Sequence, residues 1–197
     1  MHCEPSRIIK KSPQWEITRY RDGDTADIIE TILYADGKSA GFVLSGVQCL
    51  IDSTQYGTLR NVYKFVKSNI RYRADRRGYE KIKSPGALFA SGYGDCKSLS
   101  VAIAAILKSL GIPYRYRFAA YGPGDFTHVY VIADGVNGDV IMDAVHKTFD
   151  DEHPYYRYAD VRPAGSPAGI KGIAEITVDA TGLAIGALTA YLISKLI

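Results

Sequence analysis

Ten residues, Ser98 to Leu107, separate Lys97 from Lys108 without one charged side chain. The run KSLSVAIAAILKSL has strong helical character, and a helix with so little polar surface is expected to be buried around most of its circumference. Gly111 is placed to end it as the C′ residue, and Pro113 to stop it beyond. The composition fits a chain built around such a helix. Charged residues are 23% and hydrophobic residues 47% of 197, which excludes a disordered chain, a coiled coil and a polytopic membrane protein. The length fits one domain, or one domain with an appendage. Twenty-four basic against 21 acidic residues leave a net charge of only +3, so no nucleic-acid partner is expected.

Other segments place this helix in an α+β order. Residues 1–54 read as short strands and turns, punctuated by DGDTAD and ADGKSAG. From Gly57, the residues Leu59, Val62, Tyr63, Val66 and Ile70 follow helical spacing. After the central helix, 114–121, 127–134 and 139–145 read as strands, the last two flanking a hairpin connection GVNG. The domain is expected to span 1–163 with a core of about 55–150, followed by a linker over 164–179 and a hydrophobic helix over 180–197.

Cys96 stands immediately before the central helix, after Gly94 and Asp95. A thiol there meets unpaired backbone N–H groups and the positive end of the helix dipole. Both stabilise a thiolate, and the same N–H groups can bind the oxyanion of a tetrahedral intermediate. Such a nucleophile needs a base, and the base an orienting group. His128 opens one strand and Asp143 lies on the next. They face the same side of the ribbon if opposed residue numbers sum to an odd value. A tight Asn137-Gly138 type I′ turn would leave Asp143 about 13 Å along the strand from His128. Direct pairing needs the turn near Gly135-Val136 instead. Asp95 is expected to cap the helix.

These residues resemble the transglutaminase-like superfamily, whose core is papain-like. The resemblance rests on Ser84-Pro85, Gly94-Asp95-Cys96-Lys97, the long apolar helix, Leu110-Gly111-Ile112, His128-Val129-Tyr130-Val131 and Ile141-Met142-Asp143, and covers about residues 58–148. It implies a fold in which the nucleophile sits at a helix N-terminus packed on an antiparallel sheet. It implies Cys96 as the nucleophile that forms a thioester, His128 as base and then acid, and Asp143 as the group that orients it. Family members often carry Trp two residues after the His; Tyr130 stands there and is expected to supply an aromatic wall of the substrate pocket. Tyr93 is the candidate for an oxyanion donor upstream of the Cys. The implied activity is acyl transfer on a peptide or carboxamide bond of a peptide or protein substrate, with hydrolysis preferred to cross-linking. Similar sequences occur in phage and mobile-element genes, so a virion role is an extension of the resemblance. A structural or assembly protein using the same fold is the competing reading.

The remaining features carry less chemistry. No cofactor and no metal are expected, since neither CxxC pairs nor EF-hand spacing occur. Cys3 and Cys49 read as incidental thiols of a reducing compartment, cytoplasm or virion, with no cleavable signal peptide. His2 and His153 read as surface residues, and His146 as lying on the opposite strand face from Asp143. The basic stretch Arg71, Arg73, Arg76, Arg77, Lys81 and Lys83 reads as a solvated loop. The last 18 residues carry a single charged side chain, Lys195, and Gly182, Gly186, Ala190 and Ser194 form a small-residue stripe. Their charge-free part is about 22 Å long as a helix, so membrane insertion and docking on a helix partner both stay open.

Overall fold

The computed structural model describes residues 3–13, 16–20, 25–76, 79–164 and 176–179. The chain enters through a single turn of helix, α1 (Pro5–Ile8), and a strand, β1 (Glu16–Tyr20). The next element corrects the expectation of strands and turns over 1–54. Helix α2 (Thr25–Ser39) runs for 15 residues, followed by 3-10 turns at 40–42 and 45–50. Ile29, Ile32, Ala35, Asp36 and Ser39 form its buried face. Gly37 sits within it on the exposed side, so the residue that suggested a turn is tolerated.

Helix α3 (Gln55–Asn69) begins where the hydroxyl of Thr54 accepts from the Gly57 N–H at 3.0 Å. Two short strands, β2 (Arg71–Tyr72) and β3 (Tyr79–Lys83), lead to α4 (Pro85–Ser91), capped by Ser84. Strand β4 (Tyr93–Gly94) pairs in parallel with β2, and β1 pairs antiparallel with β3.

Helix α5 (Cys96–Ser109) is the apolar run, and Lys97 to Leu107 are buried without a break. The strand His128–Gly135 packs on one side of it, while α2, α3, α4 and β3 cover others. Its end is a Schellman motif: Ile112 N–H donates to Leu107 O at 3.0 Å and Gly111 N–H to Lys108 O at 3.2 Å. Gly111 takes φ +69°, a value that costs glycine nothing sterically.

The main sheet has the order β7-β6-β5-β8-β9, with β5 (Tyr114–Ala120), β6 (His128–Gly135), β7 (Gly138–Met142), β8 (Arg157–Val161) and β9 (Ile176–Asp179). All its pairs are antiparallel. Residues 176–179, within the segment expected as linker, pair with β8 as strand β9. Val129, Val131, Ala133, Val140 and Met142 join the main core with α5, whereas Ala119, Tyr130 and Ile132 form a small cluster of their own. The architecture is α+β, as expected.

Cys3 and Cys49 correct a second expectation. They form a disulfide with Cα atoms 6.0 Å apart, joining the segment before α1 to the 3-10 turn at 45–50. They are therefore not the two incidental thiols expected. Among the described residues no helix is long and apolar enough to cross a membrane. His2 and the hydrophobic segment 180–197 lie outside the described residues.

Candidate active site

Cys96 is the first residue of α5. Asp95, at its N-cap, accepts from the Ser98 N–H at 3.1 Å through its side chain and from the Leu99 N–H at 3.0 Å through its carbonyl. The N–H groups of Cys96 and Lys97 come too early in the helix to have an intrahelical acceptor. Gly94 allows this start, because a Cβ there would meet Leu88 Cδ1 at 2.5 Å. One turn further on, the hydroxyl of Ser100 donates to Val129 O at 3.0 Å. That bond holds the first turn of α5 beside the start of β6, where His128 stands.

The β6–β7 hairpin brings Asp143 to His128 by a route between the two considered from sequence. Gly135 opposes Gly138, so the connection is Val136-Asn137. Neither residue takes positive φ, and Gly138 does, at +121°. Asn137 and Gly138 are therefore not the central pair of a type I′ turn. Val131 opposes Met142, which places Asp143 one step beyond the end of β7 and diagonal to His128 rather than directly opposite. Diagonal neighbours on one face are within reach of an imidazole and a carboxylate. His128 Nε2 lies 2.7 Å from Asp143 Oδ2, and Asp143 Oδ1 accepts from the Val145 N–H at 2.9 Å.

Because Asp143 takes Nε2, the ring nitrogen left for Cys96 is Nδ1. Burial works to lower the His128 pKa. It is outweighed by hydrogen bonding to Asp143 and Cys96 and by their charges, and the imidazole is pushed up to about 10. The His128 side chain is only 13% exposed, so these interactions act with little competition from water.

Aromatic rings surround the imidazole. Tyr130 lies 5.5 Å from it, centroid to centroid, and Tyr121 6.2 Å. Tyr130 is only 2% exposed and its hydroxyl donates to Glu152 at 2.5 Å, which Arg117 also engages at 2.9 Å. It is thus a buried support beneath His128, not an open wall. Tyr121 is 46% exposed, and burial, then the charges of Asp143, Glu152 and Cys96, push its phenol up to about 12.

Tyr93 and the basic stretch are placed differently from each other. The Tyr93 ring is packed by two cations, with Arg73 and Lys83 each 3.7 Å from its centroid. Lys83 is buried, and its ammonium donates to Tyr93 O at 2.8 Å and Ser91 Oγ at 2.9 Å, so it is no solvated loop residue. Tyr72, within the basic stretch, interacts electrostatically with Cys96. Burial, then the negative charge of Cys96 and Asp95, raises its phenol. Tyr72 was not singled out from sequence, because it sits within a charged stretch that reads as loop.

Three carboxylates, Asp75, Glu80 and Asp95, also come together, with ligand atoms within 4.8 Å of one another. Lys97 occupies their centre, 2.6 Å from Glu80, 3.4 Å from Asp75 and paired with Asp95. Against the effect of burial, Asp95, Cys96 and Glu80 raise the pKa of this ammonium, and its charge offsets part of theirs. His146 lies in the turn after β7, its ring 4.2 Å from that of His153 and its Nδ1 3.5 Å from Asp151. It does not share the Cys96 site, and His153, exposed as expected, is its neighbour. A separate groove of about 360 Å³ between the start of α3 and the β6–β7 hairpin is lined by Tyr56, Leu59 and Val136, among others, and by none of the three site residues.

A cysteine at the start of a buried helix, facing a histidine and an aspartate on an antiparallel sheet, defines a papain-like arrangement. Residues 49–155, more than half of the chain, match the transglutaminase-like superfamily, and the chain belongs to it. No curated protein sequence matches the chain significantly. Among solved structures, a candidate protease from Parabacteroides distasonis shares the fold at a TM-score of 0.51 and 14% identity over 76% of this chain and 29% of its own. A candidate cysteine protease from Cytophaga hutchinsonii gives a TM-score of 0.39, 14% identity and coverage of 82% and 55%. A transglutaminase gives 0.40, 12%, and 68% and 36%. The chain thus spans less than two thirds of the length of each.

Proposed function

We propose that this chain is a cysteine-dependent acyl-transfer enzyme that cleaves a peptide or carboxamide bond through a thioester. The observation that carries the reading is the 2.7 Å contact of His128 Nε2 with Asp143, beside a cysteine at the N-terminus of α5. With its pKa pushed up to about 10, His128 holds a proton at neutral pH, and the thiolate is the form in which a cysteine acts as nucleophile. Sγ of Cys96 attacks the substrate carbonyl carbon. The oxyanion receives hydrogen bonds from the Cys96 backbone N–H, with the Tyr72 hydroxyl as the side-chain donor we favour over Tyr93. The C–N bond breaks as His128 Nδ1 protonates the leaving amine, and the thioester remains. Neutral His128 then takes a proton from water, the hydroxide adds to the thioester carbon, and the carbon–sulfur bond breaks to restore the thiolate. Asp143 keeps the ring in one orientation throughout.

Peptides and proteins are the substrates this chemistry takes, and we favour water as acceptor over an amine. Iodoacetamide labelling across pH tests the nucleophile. Cys96 is expected to alkylate rapidly at pH 6, where a free thiol of pKa about 8.5 is almost fully protonated, and to lose this in His128→Ala. Reaction like a free thiol, or none, would favour the non-catalytic reading. A peptide-amide electrophile with and without a primary amine then reports the acceptor by product mass.

A further inference from the structure

Strand β7 ends at Met142, so no sheet ladder holds Asp143. What holds it is the turn that follows. His146 N–H donates to Asp143 O at 3.1 Å, and Val145 N–H to Asp143 Oδ1 at 2.9 Å. Such a turn aims successive carbonyl dipoles to one side, where they repel one another unless a cation meets them. Lys67, on α3, supplies it. Its ammonium donates to Ala144 O at 2.9 Å, Val145 O at 3.0 Å and His146 O at 2.6 Å, which uses all three of its N–H bonds. Tyr63, one helical turn earlier, adds its hydroxyl to His146 O at 2.8 Å.

We propose that Lys67 is a positioning residue of the active site: by gathering the carbonyls of residues 144–146 it fixes the turn that sets Asp143 against His128. The inference rests on the acyl-transfer reading for its catalytic meaning, and on the turn geometry alone for its structural content. A helix lysine normally extends its ammonium into water. This one is drawn inward, and burial lowers its pKa while Asp143 raises it and Lys147 lowers it further. Any variant lacking the cation leaves the Ala144 and Val145 carbonyls without this donor and only Tyr63 on His146 O, and the turn is expected to open and carry Asp143 away from Nε2.

The test uses Lys67→Met, Lys67→Arg and Asp143→Asn in the full chain, with two readouts. One is the Cys96 alkylation rate at pH 6; the other is the titration of the His128 imidazole nitrogens by NMR. Lys67→Met is expected to slow alkylation about tenfold or more. It is also expected to bring the His128 titration down from about 10 towards its ordinary value. Lys67→Arg is expected to recover most of both. In an Asp143→Asn background, Lys67→Met is expected to change the rate less than about twofold, because the group it acts through is gone. A His128 titration in folded Lys67→Met unchanged from wild type, or effects of the two substitutions that multiply, would overturn the proposal. If Lys67→Met does not fold, Tyr63→Phe removes one donor from the turn and is expected to move both readouts a smaller distance the same way. Its failure to move either would count against the proposal equally. A wild-type Cys96 that behaves as a free thiol would sink the acyl-transfer reading while the His128 titration still reports on the turn.

Discussion

Asp36 and Asp143 are both buried carboxylates on the edge of the same core, and they are used in opposite ways. Asp36, on α2, is 1% exposed and accepts from the Tyr114 hydroxyl at 2.5 Å, the Tyr116 hydroxyl at 2.9 Å and the Lys108 ammonium at 3.1 Å. Burial and the Asp36 charge raise both phenols, so its tyrosine donors keep their protons through the physiological range. It binds α2, α5 and β5 together and exchanges nothing. Among the described residues, Asp143 has one side-chain hydrogen-bond partner, an imidazole, the side chain whose proton is easily moved. A buried carboxylate marks a reactive site when its partner can give up a proton beside a nucleophile; burial alone marks a joint.

The largest expected effects separate the two directly. Asp143→Asn keeps the shape but removes the charge facing His128, and is expected to cut Cys96 alkylation at pH 6 by on the order of 10²-fold or more. It should lose less stability than Asp36→Ala, because the amide still fills the site and its oxygen can accept from the imidazole. Asp36→Ala is expected to do the reverse. It strands two buried hydroxyls and a lysine, at a cost of about 3–5 kcal/mol in urea unfolding, with the Cys96 rate per folded molecule unchanged. A loss of stability in Asp143→Asn as large as that in Asp36→Ala would erase the distinction.

Alkaline pH sharpens the same comparison. The folded-state pKa of His128 is raised to about 10 against about 6.5 unfolded, so its stabilisation is full below pH 6.5 and is lost as pH rises towards 10. The difference in urea stability between wild type and His128→Gln should therefore shrink across that window, by a few kcal/mol at most. Asp36→Ala should differ from wild type by a constant amount below pH 10, because its tyrosine partners titrate above the ordinary phenol value.

The two carboxylates were also unequally legible. Asp143 stands in a strand pattern after His128, and an odd hairpin register, as in both turns considered, puts the two on one face. Only the diagonal offset was missed, because it depends on where Val136-Asn137 turns. The central helix, its Gly111 cap and strands β5 to β7 follow from local periodicity for the same reason. Asp36 lay in ADGKSAG, which reads as a turn; its partners are 72 to 80 residues away, and no local pattern announces them. The Cys3–Cys49 bond spans 46 residues and is invisible for the same cause. Lys67 is the sharpest case, since a lysine on a helix reads as solvent-facing until the turn it closes is seen.

The smallest expected effect concerns how Asp36 divides its hydrogen bonds. Tyr114 and Tyr116 both donate to Oδ1, while Lys108 takes Oδ2. Tyr114→Phe removes one donor and leaves the other on the same oxygen, so no buried oxygen is orphaned. Hydrogen bonds to a charged group contribute about 1.5–3 kcal/mol, and with a second donor in place the loss should fall at the lower end. Tyr116→Phe should cost a similar amount, and the double substitution more than the two together, because only then does Oδ1 lose both of these hydroxyl donors while buried. Urea midpoints of the three variants measure this. Strict additivity would show that the tyrosines stabilise α2 against the sheet by packing alone, and that Asp36 is held by Lys108.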